Sequence, residues 1–193
     1  MTWHLPPWAQ QSKTDSSEDW HGSCVSSQAA GLKSGVAKES RLLMLKSSQN
    51  LRDIFWAFSQ ARDSFRESRQ EGRSVILFTA AARNTGESLS YWIRVKEIMR
   101  ELFEADAVIV VPAGNYAQEE GRRQIDTIPA RWSSLDFPLI VVGAVNSLRF
   151  PATFTQGPKN VTVYAPGVDV ICANKPEASG MSYAAALVSR QIN

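Results

Sequence analysis

The segment Ala107-Val-Ile-Val-Val-Pro-Ala-Gly-Asn115 combines an apolar run with a small-residue turn that ends in an amide side chain. A strand that is apolar at every position is typical of a parallel sheet, in which helices cover both faces. Comparable short apolar runs occupy residues 41–46, 74–79, 139–143 and 160–164. The sequence therefore predicts a sheet of about five strands, mainly parallel.

Helical patterns alternate with these runs. Apolar residues recur at helical spacing in 50–70 and 88–104, with charged residues between them. Small residues in 21–31 and 182–192 favour two tightly packed buried helices. Alternation of strands and helices predicts an α/β fold with helices on both faces of the sheet, and no second domain is visible.

The composition narrows the classes of function. The chain has 193 residues, of which 44% are hydrophobic and 21% charged, and its formal net charge is +2. This balance does not favour nucleic acid or a membrane surface as a partner, and no apolar run approaches a membrane span. We expect residues 1–18 to be poorly ordered and residues 19–193 to form the domain. The first residues do not resemble a signal peptide, so the compartment stays open, as does the oligomeric state.

Metal-binding residue types are scarce. The chain contains two histidines, His4 and His21, and two cysteines, Cys24 and Cys172, with no Cys-x-x-Cys pattern. A zinc site is not expected from so few donors. Whether Cys24 and Cys172 form a disulfide depends on their separation in the fold and stays open at this point.

Three chemically useful residues lie at helix starts or strand ends, where sites in parallel sheets gather. His21 opens the first buried helix, Asn115 follows the strand quoted above, and Ser182 opens the last helix. Taken alone, Ser182 would be read as the N-cap of a buried helix. A histidine base, an amide donor and a serine that converge would instead make an acyl-transfer site.

The segments around these residues resemble the subtilisin-like serine peptidases. That family carries His-Gly-Thr-x-Val-Ala, Ala-Ala-Gly-Asn, Ala-Pro-Gly and Gly-Thr-Ser-x-Ala-x-Pro in this order. The matching segments here are His21-Gly-Ser-Cys-Val-Ser26, Pro112-Ala-Gly-Asn115, Tyr164-Ala-Pro-Gly167 and Gly180-Met-Ser-Tyr-Ala-Ala-Ala186. Gly35-Val-Ala-Lys38 also resembles the Gly-Val-Ala-Pro segment of the family. Several motifs in one order are more specific than any one of them.

The resemblance implies a three-layer subtilisin-like fold and a serine endopeptidase activity. In that reading Ser182 is the nucleophile, His21 the general base and acid, and Asn115 the oxyanion donor together with the backbone N–H of Ser182. The substrate would be a peptide or protein that pairs in extended form with residues 75–82. The family also implies a tendency to secretion and, in some members, structural calcium.

The chain departs from the family at the third catalytic residue. No Asp-Ser/Thr-Gly turn after an apolar strand precedes His21, and Asp15 and Asp19 are read as solvated loop residues. Ala186 stands where the family has Pro, and Arg190 stands where small residues pack. Two alternatives follow: a peptidase sequence truncated at the N-terminus and at the C-terminus, or a pseudo-peptidase that only binds peptides. An esterase is disfavoured because the chain lacks a Gly-x-Ser-x-Gly elbow.

Overall fold

The computed structural model describes residues 2–8, 20–31, 41–48, 50–68, 74–83, 89–172 and 175–192. Within them, helices alternate with short strands along the chain. In chain order the elements are β1 (Thr2–His4), α1 (His21–Ala30), β2 (Leu43–Leu45), α2 (Leu51–Ser68), β3 (Val75–Leu77), β4 (Ala82–Arg83), α3 (Leu89–Glu104), β5 (Val108–Pro112), β6 (Thr127–Ile128), β7 (Ile140–Val145), β8 (Val163–Pro166), β9 (Val170–Cys172), β10 (Lys175–Ala178) and α4 (Met181–Ile192).

A parallel four-stranded sheet in the order β3-β5-β7-β8 forms the centre of the fold. Its central register pairs Val110 with Ile140 and Val111 with Val141. Consecutive strand residues point to opposite faces, and Ile109, Val110 and Val111 are all 0% exposed. Both faces of β5 are therefore covered, as expected for a three-layer α/β fold.

The helices cover the faces of the main sheet. Helix α4 packs along β5, β7 and β8, and α1 packs on α4. Helix α3 packs on β5, and α2 packs on α3. The alanines Ala184, Ala185 and Ala186 are all 0% exposed, and their small side chains allow α4 to lie close to the sheet. This close approach holds the start of α4 beside the carboxyl ends of the strands.

The predicted strand at 41–46 exists but does not belong to the main sheet. Its core, β2, pairs in parallel with β1, with Thr2 opposite Leu43 and His4 opposite Leu45. Among the described residues the main sheet thus has four strands instead of five. The strand predicted at 160–164 is shifted and begins at Val163. Just before it, the Thr162 N–H donates to the Val141 carbonyl at 2.8 Å, and Thr162 Oγ1 accepts from the Val141 N–H at 3.1 Å.

Residues 2–8, part of the segment 1–18 that the sequence predicts to be poorly ordered, contain strand β1 and contact α2. Strand β1 hydrogen-bonds to β2, and Trp8 Nε1 donates to Asp53 Oδ1 at 2.8 Å. The guanidinium of Arg52 lies 3.7 Å from the centre of the Trp8 ring. Asp15, Asp19 and the Gly35–Lys38 segment lie outside the described residues. In the described parts of the chain, no helix combines the length and apolarity that crossing a membrane requires.

Candidate active site

The turn before Ser182 is fixed by backbone contacts. The N–H of Gly180 donates to the carbonyl of Gly167 at 2.7 Å, and a Cβ at Gly167 would come within 2.8 Å of Ala144 Cβ. Real Cβ atoms do not approach this closely, so glycine is required at position 167. Helix α4 begins at Met181 and places Ser182 in its first turn, where 6% of the residue is exposed.

Asn115 is attached to this turn through its amide. Gly114 has φ +118°, and a Cβ there would overlap Gln156 Oε1, so only glycine turns the chain here. The exposed Asn115 that follows accepts a hydrogen bond at Oδ1 from the N–H of Met181, at 2.9 Å. Its Nδ2 lies 3.7 Å from the point where a Cβ on Gly180 would be. The amide donor therefore faces the chain segment that leads into Ser182.

His21 lies at the start of α1 and approaches the first turn of α4. It is the first residue of this helix, which packs on α4, and its ring centre lies 5.8 Å from that of Tyr183 at an interplanar angle of 49°. Tyr183 directly follows Ser182. Within the described part of the chain, Ser182 Oγ forms no hydrogen bond, to His21 or to any other residue. His21 and Asn115 therefore each contact a residue next to Ser182 in the first turn of α4, and no direct bond joins His21 to Ser182 among the described residues.

Cys24 and Cys172 form a disulfide, a pairing that the sequence alone does not decide. The two Cα atoms are 5.0 Å apart, although 148 positions separate the residues in the chain. Both cysteines are buried, and Gln28 Nε2 donates to the carbonyl of Ile171 at 2.6 Å. These contacts fasten α1 to β9 one helical turn from His21. Sequence reasoning could not assign the pair, because only the fold brings the cysteines together.

The loop after Asn115 differs from the solvated loop that the charges at 119–123 predict. Arg122 is only 9% exposed and forms a fork with Asp126, at 2.7 Å from Nε and 3.2 Å from Nη2. Its Nη1 donates to Glu119 at 2.6 Å, and its guanidinium lies 3.9 Å from the Tyr116 ring centre. Hydrogen bonding to Asp126 raises the pKa of Arg122 above its usual range, and Glu119 adds to the effect against the opposing effect of burial.

Gln156 extends this network to the turn that carries Asn115. It is 0% exposed, and its Nε2 donates to the carbonyl of Arg122 at 2.7 Å and to Asp126 Oδ1 at 3.0 Å. Its backbone N–H donates to the carbonyl of Gly114 at 3.1 Å. Buried hydrogen bonds from Gln156 therefore connect the loop after Asn115 to the turn at Gly114. The spacing of Glu119, Arg122 and Asp126 at three and four residues was the available sequence signal for it.

Metal ligands can be tested on the described side chains. These residues contain no group of three or more His, Cys, Asp or Glu side chains placed to hold an ion. Calcium also takes backbone carbonyl oxygens as ligands, so the structural calcium that the family resemblance implies stays a prediction.

The fold resembles those of solved subtilisin-like proteins. One is a cold-adapted subtilisin-like serine proteinase, with a TM-score of 0.65 and 19% identity over 88% of this chain and 58% of the other. Another is the prenylagaramide maturation protease PagA, with a TM-score of 0.68 and 20% identity over 98% of this chain and 66% of the other. At such identities the likeness concerns the fold alone, and it confirms the predicted subtilisin-like architecture.

Curated relatives carry similar sequences. Alkaline protease 1 of Aspergillus flavus is 30% identical over 153 residues, which are 79% of this chain and 35% of the relative. Subtilisin-like protease 3 of Pseudogymnoascus destructans is 27% identical over 169 residues, which are 82% of this chain and 37% of the relative. The chain thus spans about a third of the length of these relatives. Residues 5–192 match the sequence model of the subtilase family, and the chain belongs to that family.

Proposed function

We propose that this chain is the core of a serine endopeptidase that cuts peptide bonds through an acyl-enzyme on Ser182. The hydrogen bond between Asn115 Oδ1 and the N–H of Met181 carries the proposal. It holds the amide donor against the residue that precedes the serine. A helix cap alone would not need an exposed asparagine from a strand end 66 positions earlier in the chain. Family membership and protease-named relatives give independent support.

In the proposed reaction Ser182 Oγ attacks the carbonyl carbon of the scissile peptide while His21 accepts the hydroxyl proton. The tetrahedral intermediate collapses, and His21 returns the proton to the leaving amine as the C–N bond breaks. Water then repeats the sequence on the ester and releases the acid and Ser182. Ser182 Oγ has no hydrogen bond in the described residues, so in this proposal the bond from Ser182 to His21 forms when substrate binds. Catalytic hydrogen bonds commonly tighten only in the substrate complex.

The negative oxygen of the intermediate would lie between two donors. One is Asn115 Nδ2, since Oδ1 of the same amide is occupied by Met181. The other is the N–H of Ser182, which as the second residue of α4 has no partner within the helix. The positive end of the helix dipole favours the same charge. One side-chain donor of this kind contributes about 3 kcal/mol to transition-state stabilisation.

The substrate we propose is an extended peptide or protein segment. Residues 78–81 connect β3 to β4, and β4 pairs with β6 in the loop that follows Asn115. A peptide lying along 79–81 would therefore pass between that loop and the start of α4. The Cys24–Cys172 disulfide supports work in an oxidising compartment, as expected outside the cell.

One observation favours the alternative, a pseudo-peptidase that binds peptides without cutting them. The His21 ring contacts Tyr183, while Ser182 Oγ has no bond to it in the described residues. In this alternative the cleft beside Asn115 would hold an extended peptide, and Ser182 would only begin α4. The two functions differ in whether bound peptide is hydrolysed.

Digestion of an unfolded protein substrate separates them. We expect the wild-type chain to cleave reduced, carboxymethylated casein, and Ser182→Ala to lose this activity. Ser189→Ala is the matched control, because Ser189 lies in the same helix, is also 6% exposed, and among the described residues donates to the Ala186 carbonyl alone. Folded wild-type protein that binds casein peptides with no cleavage would establish the binding domain instead. Equal cleavage by wild type and Ser182→Ala would exclude Ser182 as the nucleophile.

A further inference from the structure

Tyr183 occupies a position between the candidate base and the disulfide. It is 7% exposed and belongs to a buried cluster with Cys24, Cys172 and Ala186. One side of its ring faces the His21 ring, with centres 5.8 Å apart and planes tilted by 49°. Separations of this size are typical of aromatic pairs that attract each other. The contact thus joins α1 and α4 at the place where the proposed chemistry occurs.

The His21 ring lies at the very start of its helix. Trp20, the residue before it, has φ +50° and gives α1 no side-chain cap. A histidine at the first position of a helix has no preceding turn to restrict its ring. Cys24 fastens the backbone of α1 one turn later through the disulfide. That bond limits where the helix lies, whereas the orientation of the imidazole plane is limited by the groups that touch the ring, of which Tyr183 is one.

Tyr183 can set this orientation relative to Ser182. The two residues are neighbours in the first turn of α4, and the buried Ala184–Ala186 segment fixes that turn against the sheet. A ring held in this turn has a constant position relative to Ser182 Oγ. Since reacting groups tolerate misplacement of only a fraction of an ångström without large losses of rate, a fixed ring plane matters for proton transfer.

We propose that Tyr183 is a positioning residue for the peptidase reaction, whose ring fixes the His21 imidazole relative to Ser182. The proposal rests on the proposed peptidase function. The ring carries the role, so Tyr183→Phe should retain it and Tyr183→Leu should remove it. Leucine fills much of the same buried space, which limits loss of stability to packing. Kinetically, Tyr183→Leu should lower kcat about 10–100-fold and leave KM within about 2-fold.

A matched control is Tyr164→Leu, because Tyr164 packs its ring on Gly143 in the sheet. This variant should lose stability of similar size with kcat close to that of wild type. Thermal unfolding of each variant, followed by circular dichroism, gives the loss of stability separately from the loss of rate. A purely structural role for Tyr183 predicts that both Leu variants lose rate only in proportion to unfolded protein.

Proton NMR of the histidine rings detects the contact between His21 and Tyr183 without any enzymatic reaction. The chain has only His4 and His21, so two sets of ring signals are expected. The Tyr183 ring current should displace one set, and Tyr183→Leu but not Tyr183→Phe should abolish the displacement. Active wild type with an equally active Tyr183→Leu would overturn the positioning role alone. Inactive wild type would overturn the peptidase function and this role together, and the NMR displacement would then show whether the ring contact exists.

Discussion

Asn115 and Met181 are joined by a hydrogen bond of 2.9 Å, in which the backbone N–H of Met181 donates to the side-chain oxygen of Asn115. This bond links the end of β5 to the start of α4. It also orients the amide, because the occupied oxygen leaves Nδ2 as the group available to a ligand. The candidate site is therefore positioned by the same contact that connects sheet and helix.

Replacing Asn115 by Asp separates the two roles of this amide. Asp retains an acceptor for the Met181 N–H and loses the donor Nδ2. We expect kcat on a peptide substrate to fall about 10²–10³-fold, with a small change in KM and in stability. The measurement is steady-state kinetics together with chemical denaturation.

Asn146→Asp is the matched control for this substitution. The Oδ1 of Asn146 accepts the N–H groups of Leu148 and Phe150, both at 3.0 Å, in a surface turn after β7. Asp can accept the same bonds, so activity should equal that of wild type. If Asn115→Asp kept full kcat, Asn115 would not be an oxyanion donor.

Gly114→Ala should destabilise the fold by about 2–4 kcal/mol. About 1–2 kcal/mol comes from the left-handed φ of +118°, and the rest from overlap of the new Cβ with Gln156 Oε1. Gly121→Ala provides the comparison, because φ is +75° there but nothing lies within 4 Å of the added Cβ. It should lose only about 1 kcal/mol. Urea denaturation measures both, and equal losses would refute the close packing of Gln156 on Gly114.

Removing the disulfide should lower the free energy of unfolding by about 2–4 kcal/mol, since it closes a long loop in the unfolded chain. The variant is Cys24→Ala with Cys172→Ala, measured by thermal unfolding. The wild-type protein with a reductant should approach the melting temperature of this variant. A melting temperature that neither reductant nor the double substitution changes would contradict the bond between the two cysteines.

The free energy of unfolding should depend in part on the ionisation of Asp53 at acid pH. Burial tends to raise its pKa, but hydrogen bonds from Ser48 and Trp8 outweigh this effect and lower the pKa below its ordinary value. A lowered folded-state pKa contributes stability above the unfolded value of about 3.9, and this contribution is lost as pH falls through the folded value. Asp53→Asn should therefore show a smaller decline in stability below about pH 4 than wild type. Parallel declines of the two proteins, measured by urea denaturation across this range, would rule out the effect.

The central strands and the last helix could be predicted because runs of apolar residues indicate buried segments. Residues 107–112 and 139–143 have no polar position, and β5 and β7 appear there with small shifts at their ends. The sequence does not predict strand β1, because residues 2–4 show no such run and their pairing with β2 depends on backbone contacts. It cannot decide the pairing of Cys24 with Cys172 for a similar reason, since that pairing follows from how α1 lies on β9.

The sequence can nominate candidate site residues because their motifs are local, whereas it does not give their mutual geometry. His21, Asn115 and Ser182 were each marked by a small-residue turn or a helix start. The hydrogen bond from Met181 to Asn115 and the ring contact of Tyr183 with His21 join elements far apart in the chain. The burial of Arg122 could not be predicted, because charge indicates exposure unless partners such as Asp126 satisfy it.

Covalent labelling of the serine tests the peptidase proposal most directly. A fluorophosphonate reacts only with a serine that a base activates, and mass spectrometry of the digested protein locates the adduct. We predict one adduct per chain on Ser182, no adduct in Ser182→Ala, and labelling slowed at least about 10²-fold in His21→Ala. Folded protein that stays unlabelled, or that carries the adduct on another residue, would contradict the assignment of Ser182 as the nucleophile.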